Sequence, residues 1–190
     1  GGWVAKEMCE RGYKTAVLDR GAPLEHGAGY ENEGKAPWEM PNRGRVSKEE
    51  IERDYEKSSL CYAFNEYTKR HFIKDSDYPF KEKDGKRFDW IRSARVGGKS
   101  VLWHRHSYRF SEMDFQANKQ DGHGCDWPIR YDDLKDWYDY VERFAGISGS
   151  KEGLPQLPDG VFQKPFDMNP VELDAKAKVE KAYPGRKIII

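Results

Sequence analysis

The pattern of apolar and polar positions along the chain predicts four helices. In the first helix, Val4, Ala5, Met8 and Cys9 share one face, and Gly12 follows where a helix can end. The same spacing predicts a helix over residues 131–146. Two more helices are predicted, over residues 47–57, where apolar positions are few and a surface helix is expected, and over about 171–181.

Two of these predicted helices carry further local signals. Ser47 can cap the N-terminus of its helix, and Glu50 is placed to complete a capping box. The helix over residues 131–146 has the clearest apolar stripe, and Gly146 can end it. We interpret the aromatic residues of this stripe as core packing. The stripe consists of Leu134, Trp137, Tyr138, Val141, Phe144 and Ala145.

Strand signals are short and scattered. Residues 15–18 form an apolar run that predicts a buried strand, and residues 83–86 predict a hairpin turn between short strands. Residues 182–190 combine turn chemistry with a β-branched run that predicts the beginning of another strand. Residues 21–46 and 150–170 are rich in glycine and proline and predict long loops. No internal repeat is present.

Composition narrows the class of protein. Lysine plus arginine equals aspartate plus glutamate at 33 each, so no net charge favours nucleic acid or an anionic membrane as partner. Aromatic residues reach 14%, which is typical of a folded chain and not of a disordered one. Cys9, Cys61 and Cys125 are widely spaced, which indicates free thiols and neither a disulfide framework nor a metal site. No apolar run is long enough to predict a membrane span.

The first 20 residues resemble the second half of a βαβ dinucleotide-binding unit. Gly1 and Gly2 precede the first predicted helix, and Asp19 and Arg20 follow the predicted strand. In such units glycines admit a pyrophosphate at the helix N-terminus, and an acid about 20 residues later binds a ribose hydroxyl. An acid at this place favours FAD or NAD over NADP. An ordinary helix–turn–strand with Arg20 facing solvent is the alternative.

A second glycine motif occurs at residues 91–106 (IRSARVGGKSVLWHRH). Gly97 and Gly98 lie between a β-branched run and a cluster of aromatic, imidazole and guanidinium groups. Two adjacent residues without Cβ allow the backbone to approach a flat or anionic ligand. Together, the two glycine motifs predict a bound dinucleotide.

These motifs, with residues 107–115 (SYRFSEMDF) and 126–134 (DWPIRYDDL), resemble the N-terminal part of glucose–methanol–choline (GMC) flavoprotein oxidoreductases. The segments occur in family order. The last two resemble the branch with pyranose oxidases and gluconate, fructose and glycoside dehydrogenases. The resemblance implies an α/β fold (α+β overall): a FAD-binding Rossmann-like domain with inserted loops and its first strand missing. It implies that residues 1–149 belong to the FAD-binding domain, and that residues 150–190 begin a substrate domain or return to the FAD-binding sheet.

The resemblance also implies roles for individual residues. Gly1 and Gly2 match the end of the pyrophosphate motif, and Asp19, with Arg20 beside it, matches the acid on the adenosine ribose. The second motif matches backbone that runs beside the pyrophosphate and the isoalloxazine ring. Its members here are Val96, Gly97, Gly98, Ser100, Leu102, Trp103 and His104.

Two positions depart from the family pattern. Pyranose oxidase-like members hold FAD covalently through a histidine just before the tryptophan, and Leu102 stands there in this chain. We therefore expect dissociable FAD. His104 stands where many relatives have a small residue, and it is either a cofactor neighbour or a structural histidine. The family's catalytic histidine belongs to its C-terminal segment, and no histidine here matches that motif, so no catalytic residue is assigned.

The expected activity is FAD-dependent oxidation of a sugar, polyol or glycoside alcohol to a carbonyl. An NAD-dependent dehydrogenase and a non-catalytic carbohydrate-binding domain, with tryptophans as exposed sugar platforms, are the alternatives. The electron acceptor (oxygen, a quinone or a cytochrome) and the compartment (cytoplasmic or periplasmic) stay open.

Overall fold

The computed structural model describes all residues from Gly1 to Ile190. The chain divides into two compact units, Gly1–Arg105 and His106–Ile190. Two α-helices belong to the first unit and three to the second. They are α1 (Gly2–Glu10), α2 (Lys48–Asp54), α3 (Glu112–Asp121), α4 (Tyr131–Ala145) and α5 (Pro170–Ala182). Single 3-10 turns lie at Pro37–Glu39, Pro41–Gly44, Ser58–Leu60, Lys69–His71 and Gly98–Val101.

Local capping signals explain where α1 and α2 begin and end. After α1, the amides of Gly12 and Tyr13 donate to the carbonyls of Cys9 and Met8, and Gly12 has a φ of +82°. This is a Schellman motif, as the sequence predicted. In front of α2, the Ser47 hydroxyl accepts from the amide of Glu50 at 3.2 Å.

The predicted return bond of that capping box is wrong. The carboxylate of Glu50 lies 2.8 Å from Nζ of Lys69 and forms an ion pair there. A full positive charge attracts the carboxylate more strongly than a neutral amide does.

In the second unit, α4 and α5 confirm the predicted helices, whereas α3 was not predicted. Gly146 closes α4 with a φ of +71°, and Asn169 caps α5 by accepting from the amides of Val171 and Glu172. Ser111 and Asp114 form a capping box in front of α3. That Ser-x-x-Asp signal is readable in the sequence, although the few apolar positions of α3 make its periodicity weak.

The α/β Rossmann-like fold is wrong for this structure, because the chain contains no β-sheet. The β-bridges that form are all isolated. They join Ala22 to Arg95, Lys83 to Lys86, Ser148 to Gln163 and Leu154 to Leu157.

The predicted strands do not form, because no other backbone segment pairs with them. Residues 15–18 form no backbone hydrogen bond with another segment, and Val17 and Leu18 are 61% and 96% exposed. Residues 187–190 likewise remain unpaired as a strand. An apolar run becomes a strand only where a neighbouring backbone supplies hydrogen bonds. The tight turns flanking such runs do form, at residues 83–86 and 183–186.

The core of the first unit is aromatic. The ring of Phe64 packs between those of Tyr55 and Phe72, at centroid distances of 5.0 and 5.3 Å. Beside this core, Asp54 is buried and accepts from Arg53 and Ser76. The hydrogen bond from Arg53, with the help of Ser76 and Lys74, lowers the pKa of Asp54 to about 2.

The second unit packs around Phe115, which contacts the rings of Phe110 and Trp127. The predicted core role of the aromatic stripe on α4 is wrong. Trp137 and Phe144 are each 59% exposed, whereas the buried residue of α4 is Glu142. Helical periodicity shows which residues share a face but does not show whether another element covers that face.

Three further findings concern membrane-spanning helices, the cysteines and the boundary between the two units. No helix is both long and apolar enough to cross a membrane. The three cysteines are free thiols. In sequence, the division between the two compact units falls after Arg105, whereas the domain boundary predicted at residues 149–150 rests on the family resemblance and stays a prediction.

Candidate functional site

A parallel backbone bridge brings the segment after Asp19 beside the second glycine motif in the first unit. The amide of Ala22 donates to the carbonyl of Ala94 at 3.2 Å, and the amide of Val96 donates to the carbonyl of Ala22 at 3.0 Å. We call residues 19–22 and 94–98 the glycine junction. The bridge places Asp19 beside the amide of Gly97 although the two are far apart in sequence.

Asp19 fastens the glycine junction through both carboxylate oxygens. Its Oδ1 accepts from the amide of Gly21 at 2.7 Å, and its Oδ2 accepts from the amide of Gly97 at 3.3 Å. Each carboxylate oxygen offers about two lone-pair sites, so both retain capacity for a hydroxyl donor. The carboxylate is exposed, which leaves that capacity accessible.

Two glycines are required by the geometry of the junction. A Cβ on Gly21 would lie 2.3 Å from the carbonyl carbon of Arg95, so any side chain there would separate the two segments. Gly97 has a φ of +89°, in the left-handed region that glycine adopts without strain. Its carbonyl accepts from the Ser100 hydroxyl at 2.6 Å, which ties the turn at Gly98–Val101 to the junction.

The surface next to Gly98 is open. A Cβ on Gly98 would meet no atom within 4 Å, and Val96 and Trp103 are about half exposed. The amides of Leu102 and Trp103 both donate to the carbonyl of Lys99, at 2.9 and 3.2 Å, so the chain turns tightly after the glycine pair. Trp103 and His104, which follow this turn, are both exposed.

The remaining predicted site residues lie outside the junction's hydrogen bonds. Gly1 caps α1 and Gly2 begins it, and a Cβ on either would meet no atom within 4 Å. No hydrogen bond joins them to the junction. The guanidinium of Arg20 lies over the ring of Tyr78 at 5.7 Å, so Arg20 has an aromatic neighbour.

A buried histidine lies behind the junction, and sequence reasoning missed it. The Arg95 guanidinium donates to the carbonyl of Arg70 at 2.8 Å, beside His71. His71 is 6% exposed, and its Nδ1 has no hydrogen-bond partner. Burial lowers the pKa of His71, and the charges of Arg95 and Arg70 lower it further. The imidazole is therefore held neutral.

The residues of the junction fit the polar groups of FAD, but the surrounding architecture is not a dinucleotide crevice. An exposed carboxylate with spare acceptor sites suits a ribose, and an open glycine surface suits a flat or anionic group. The sheet edge that forms the crevice in a Rossmann fold is absent. The fit therefore lies in the donors, acceptors and free space of the junction.

The second unit contains a buried ion-pair network, and two of its members, Arg109 and Tyr131, belong to segments of the family resemblance. Nε and Nη2 of Arg109 donate to the two oxygens of Glu142 at 2.7 and 2.6 Å, and Nη1 donates to the Tyr131 hydroxyl at 3.0 Å. The amide of Val161 also donates to Glu142, at 2.7 Å. The pKa of Arg109 is raised, chiefly by its hydrogen bonds to Glu142. With every partner satisfied, this network has a structural role.

No protein-family model matches this chain. The chain is similar to a 2-methyl-1,2-propanediol dehydrogenase of Mycolicibacterium austroafricanum, with 36% identity over 74 residues. The match covers 37% of this chain and 13% of that dehydrogenase. The chain therefore has a distant, partial similarity to an alcohol dehydrogenase.

Proposed function

We propose that this chain is the cofactor-contacting part of a FAD-dependent oxidoreductase that oxidises an alcohol CH–OH group to a carbonyl. The substrate is a small alcohol of the sugar, polyol or glycoside class. When bound, FAD supplies the hydride acceptor for this reaction. Residues 1–149 carry the cofactor-contacting segments, and residues 150–190 begin the part that approaches the substrate.

The observation that carries the proposal is the hydrogen bond between Asp19 and the amide of Gly97. Asp19 and the second glycine motif were assigned to one dinucleotide from separate parts of the sequence, and a single ligand can contact both only if they are neighbours. The partial similarity to an alcohol dehydrogenase supports the same reaction class.

The predicted site residues have distinct proposed roles. Asp19 accepts hydrogen bonds from the adenosine ribose, with Arg20 beside it, and Gly1 and Gly2 leave space for the pyrophosphate at the N-terminus of α1. The second motif lies along the pyrophosphate and the isoalloxazine ring. It consists of Val96, Gly97, Gly98, Ser100, Leu102, Trp103 and His104.

Leu102 makes the cofactor dissociable in this proposal, since leucine has no atom that could bond to the flavin. The test is to purify the protein, add FAD, remove the excess and record the visible absorption. Flavin bands that pass into the supernatant on acid precipitation support the proposal. Bands that stay with the precipitate contradict the dissociable cofactor. A protein that never acquires flavin bands contradicts the function.

One observation favours a second candidate, the carbohydrate-binding domain. All six tryptophans are exposed, from 42% at Trp3 to 80% at Trp38, and exposed indole rings can stack on sugar rings. This candidate gives no reason for the close approach of Gly21 to Arg95. Retention on immobilised polysaccharide, by a protein that takes up no FAD, would favour it over the oxidoreductase.

A further inference from the structure

An aromatic contact joins the segment that follows the glycine pair to a residue outside both glycine motifs. The rings of Tyr62 and His104 meet edge to face, with centroids 4.6 Å apart and an interplanar angle of 79°. Both residues belong to the first unit, and both are exposed; Tyr62 is 71% exposed. The family resemblance assigns a role to the segment of His104 and none to Tyr62.

The segment that carries Tyr62 is anchored in the core. Two residues later, Phe64 packs between Tyr55 and Phe72. The Thr68 hydroxyl donates to the carbonyl of Ala63, directly after Tyr62. These contacts fix the backbone on the C-terminal side of Tyr62, from which its ring reaches His104.

The segment that carries His104 holds an unusual backbone conformation. Arg105, the next residue, has a φ of +64°, which is uncommon for any residue except glycine. Such conformations cost free energy and persist where the surroundings impose them, often at functional sites. On the other side of His104, the amide of Trp103 is tied to the carbonyl of Lys99. The position of His104 is therefore set from both sides.

We propose that Tyr62 is a positioning residue that holds the His104 imidazole beside the glycine pair, where it borders the flavin. This inference rests on the proposed function and adds to it a residue from outside the glycine motifs. The tyrosine ring, and not its hydroxyl, makes the contact with His104. The effect is therefore retained by Tyr62→Phe and lost in Tyr62→Leu.

Two measurements on the purified protein test the proposal. The first is the proton NMR shift of the His104 ring, assigned by its disappearance in His104→Gln. We expect Tyr62→Leu to remove the ring-current contribution to this shift and Tyr62→Phe to retain it. The second is the visible circular dichroism of bound FAD, together with its dissociation constant. Aromatic pairs contribute about 0.5–1.5 kcal/mol, so we expect Tyr62→Leu to weaken FAD binding by about 2- to 12-fold.

Tyr13→Leu is the matched control, because Tyr13 is a comparably exposed tyrosine of the same unit. It should leave the His104 shift and the flavin dichroism unchanged. A His104 shift that does not respond to Tyr62→Leu overturns the contact. A shift that responds while the flavin dichroism and affinity stay constant overturns the positioning role. If the unmodified protein binds no FAD, the proposed function fails, and the role of Tyr62 beside the flavin fails with it.

Discussion

The carboxylate of Asp19 accepts a hydrogen bond from the amide of Gly97, which lies 78 residues farther along the chain, at 3.3 Å. A second oxygen of the same carboxylate holds the amide of Gly21 at 2.7 Å. One side chain therefore fixes the ends of both segments of the glycine junction. Its substitution should affect the junction and any ligand that spans it.

We expect Asp19→Asn to lower the free energy of unfolding by about 1 kcal/mol, because the amide nitrogen of asparagine cannot accept one of these two hydrogen bonds. FAD binding should weaken as well, since the ribose loses an anionic acceptor. Chemical denaturation and flavin titration measure the two effects. Asp84→Asn, at an exposed turn, is the control and should change neither. An Asp19→Asn protein with unaltered stability would contradict the fastening role.

Gly21 should tolerate no side chain. In Gly21→Ala the Cβ would lie 2.3 Å from the carbonyl carbon of Arg95, which is backbone and cannot rotate away. We expect a loss of about 3 kcal/mol in the free energy of unfolding, measured by urea denaturation. Gly34→Ala is the matched control. Its φ is +80° but no atom lies within 4 Å, so only backbone strain of about 1–2 kcal/mol applies. Equal losses would show that the close approach is unimportant.

Replacing Glu142 of the second unit with its isostere glutamine is expected to lower the free energy of unfolding. Its Oε1 accepts from Nε of Arg109, and its Oε2 accepts from Nη2 of Arg109 and the amide of Val161. In Glu142→Gln, either orientation of the amide directs an NH₂ group at a donor. Because the site is buried, we expect a loss of about 2–4 kcal/mol by urea denaturation. Asp167→Asn, which alters the exposed pair with Lys164, should cost less than about 0.5 kcal/mol.

Structural features that depend on a few neighbouring residues could be predicted from the sequence. Pairing between segments that are distant in sequence could not. Gly12 and Gly146 end their helices as predicted, because a C-cap depends on the conformation of one residue. The predicted strand at residues 15–18 was wrong, because a strand forms only where another backbone segment pairs with it. The exposed Trp137 shows the same limit for a helix face.

The candidate site was predictable only in part. The two glycine motifs together predict a dinucleotide, the family resemblance implies that it is FAD, and their cofactor roles stay predictions. The Asp19–Gly97 contact and the Tyr62–His104 contact join distant segments, and no local pattern reports such pairs. The steric need for Gly21 likewise follows only from the approach of Arg95.

The lowered pKa of His71 predicts that the free energy of unfolding depends on pH. Burial and the charges of Arg95 and Arg70 lower its folded-state pKa below the ordinary value of 6.5. The unfolded state therefore binds a proton more readily than the folded state, and stability falls as pH decreases from about 6.5 toward the lowered pKa. Above pH 7 the imidazole is neutral in both states and contributes no pH dependence.

His71→Phe keeps a ring for the contact with Tyr30, at 6.2 Å in the present chain, and removes the titration. We expect the substituted protein to lose less stability than the unmodified protein between pH 7 and 5, measured as the urea midpoint at each pH. His26→Phe is the control, because His26 is exposed and also contacts the ring of Tyr30. Parallel pH profiles for His71→Phe and the unmodified protein would show that the buried imidazole does not titrate with a lowered pKa.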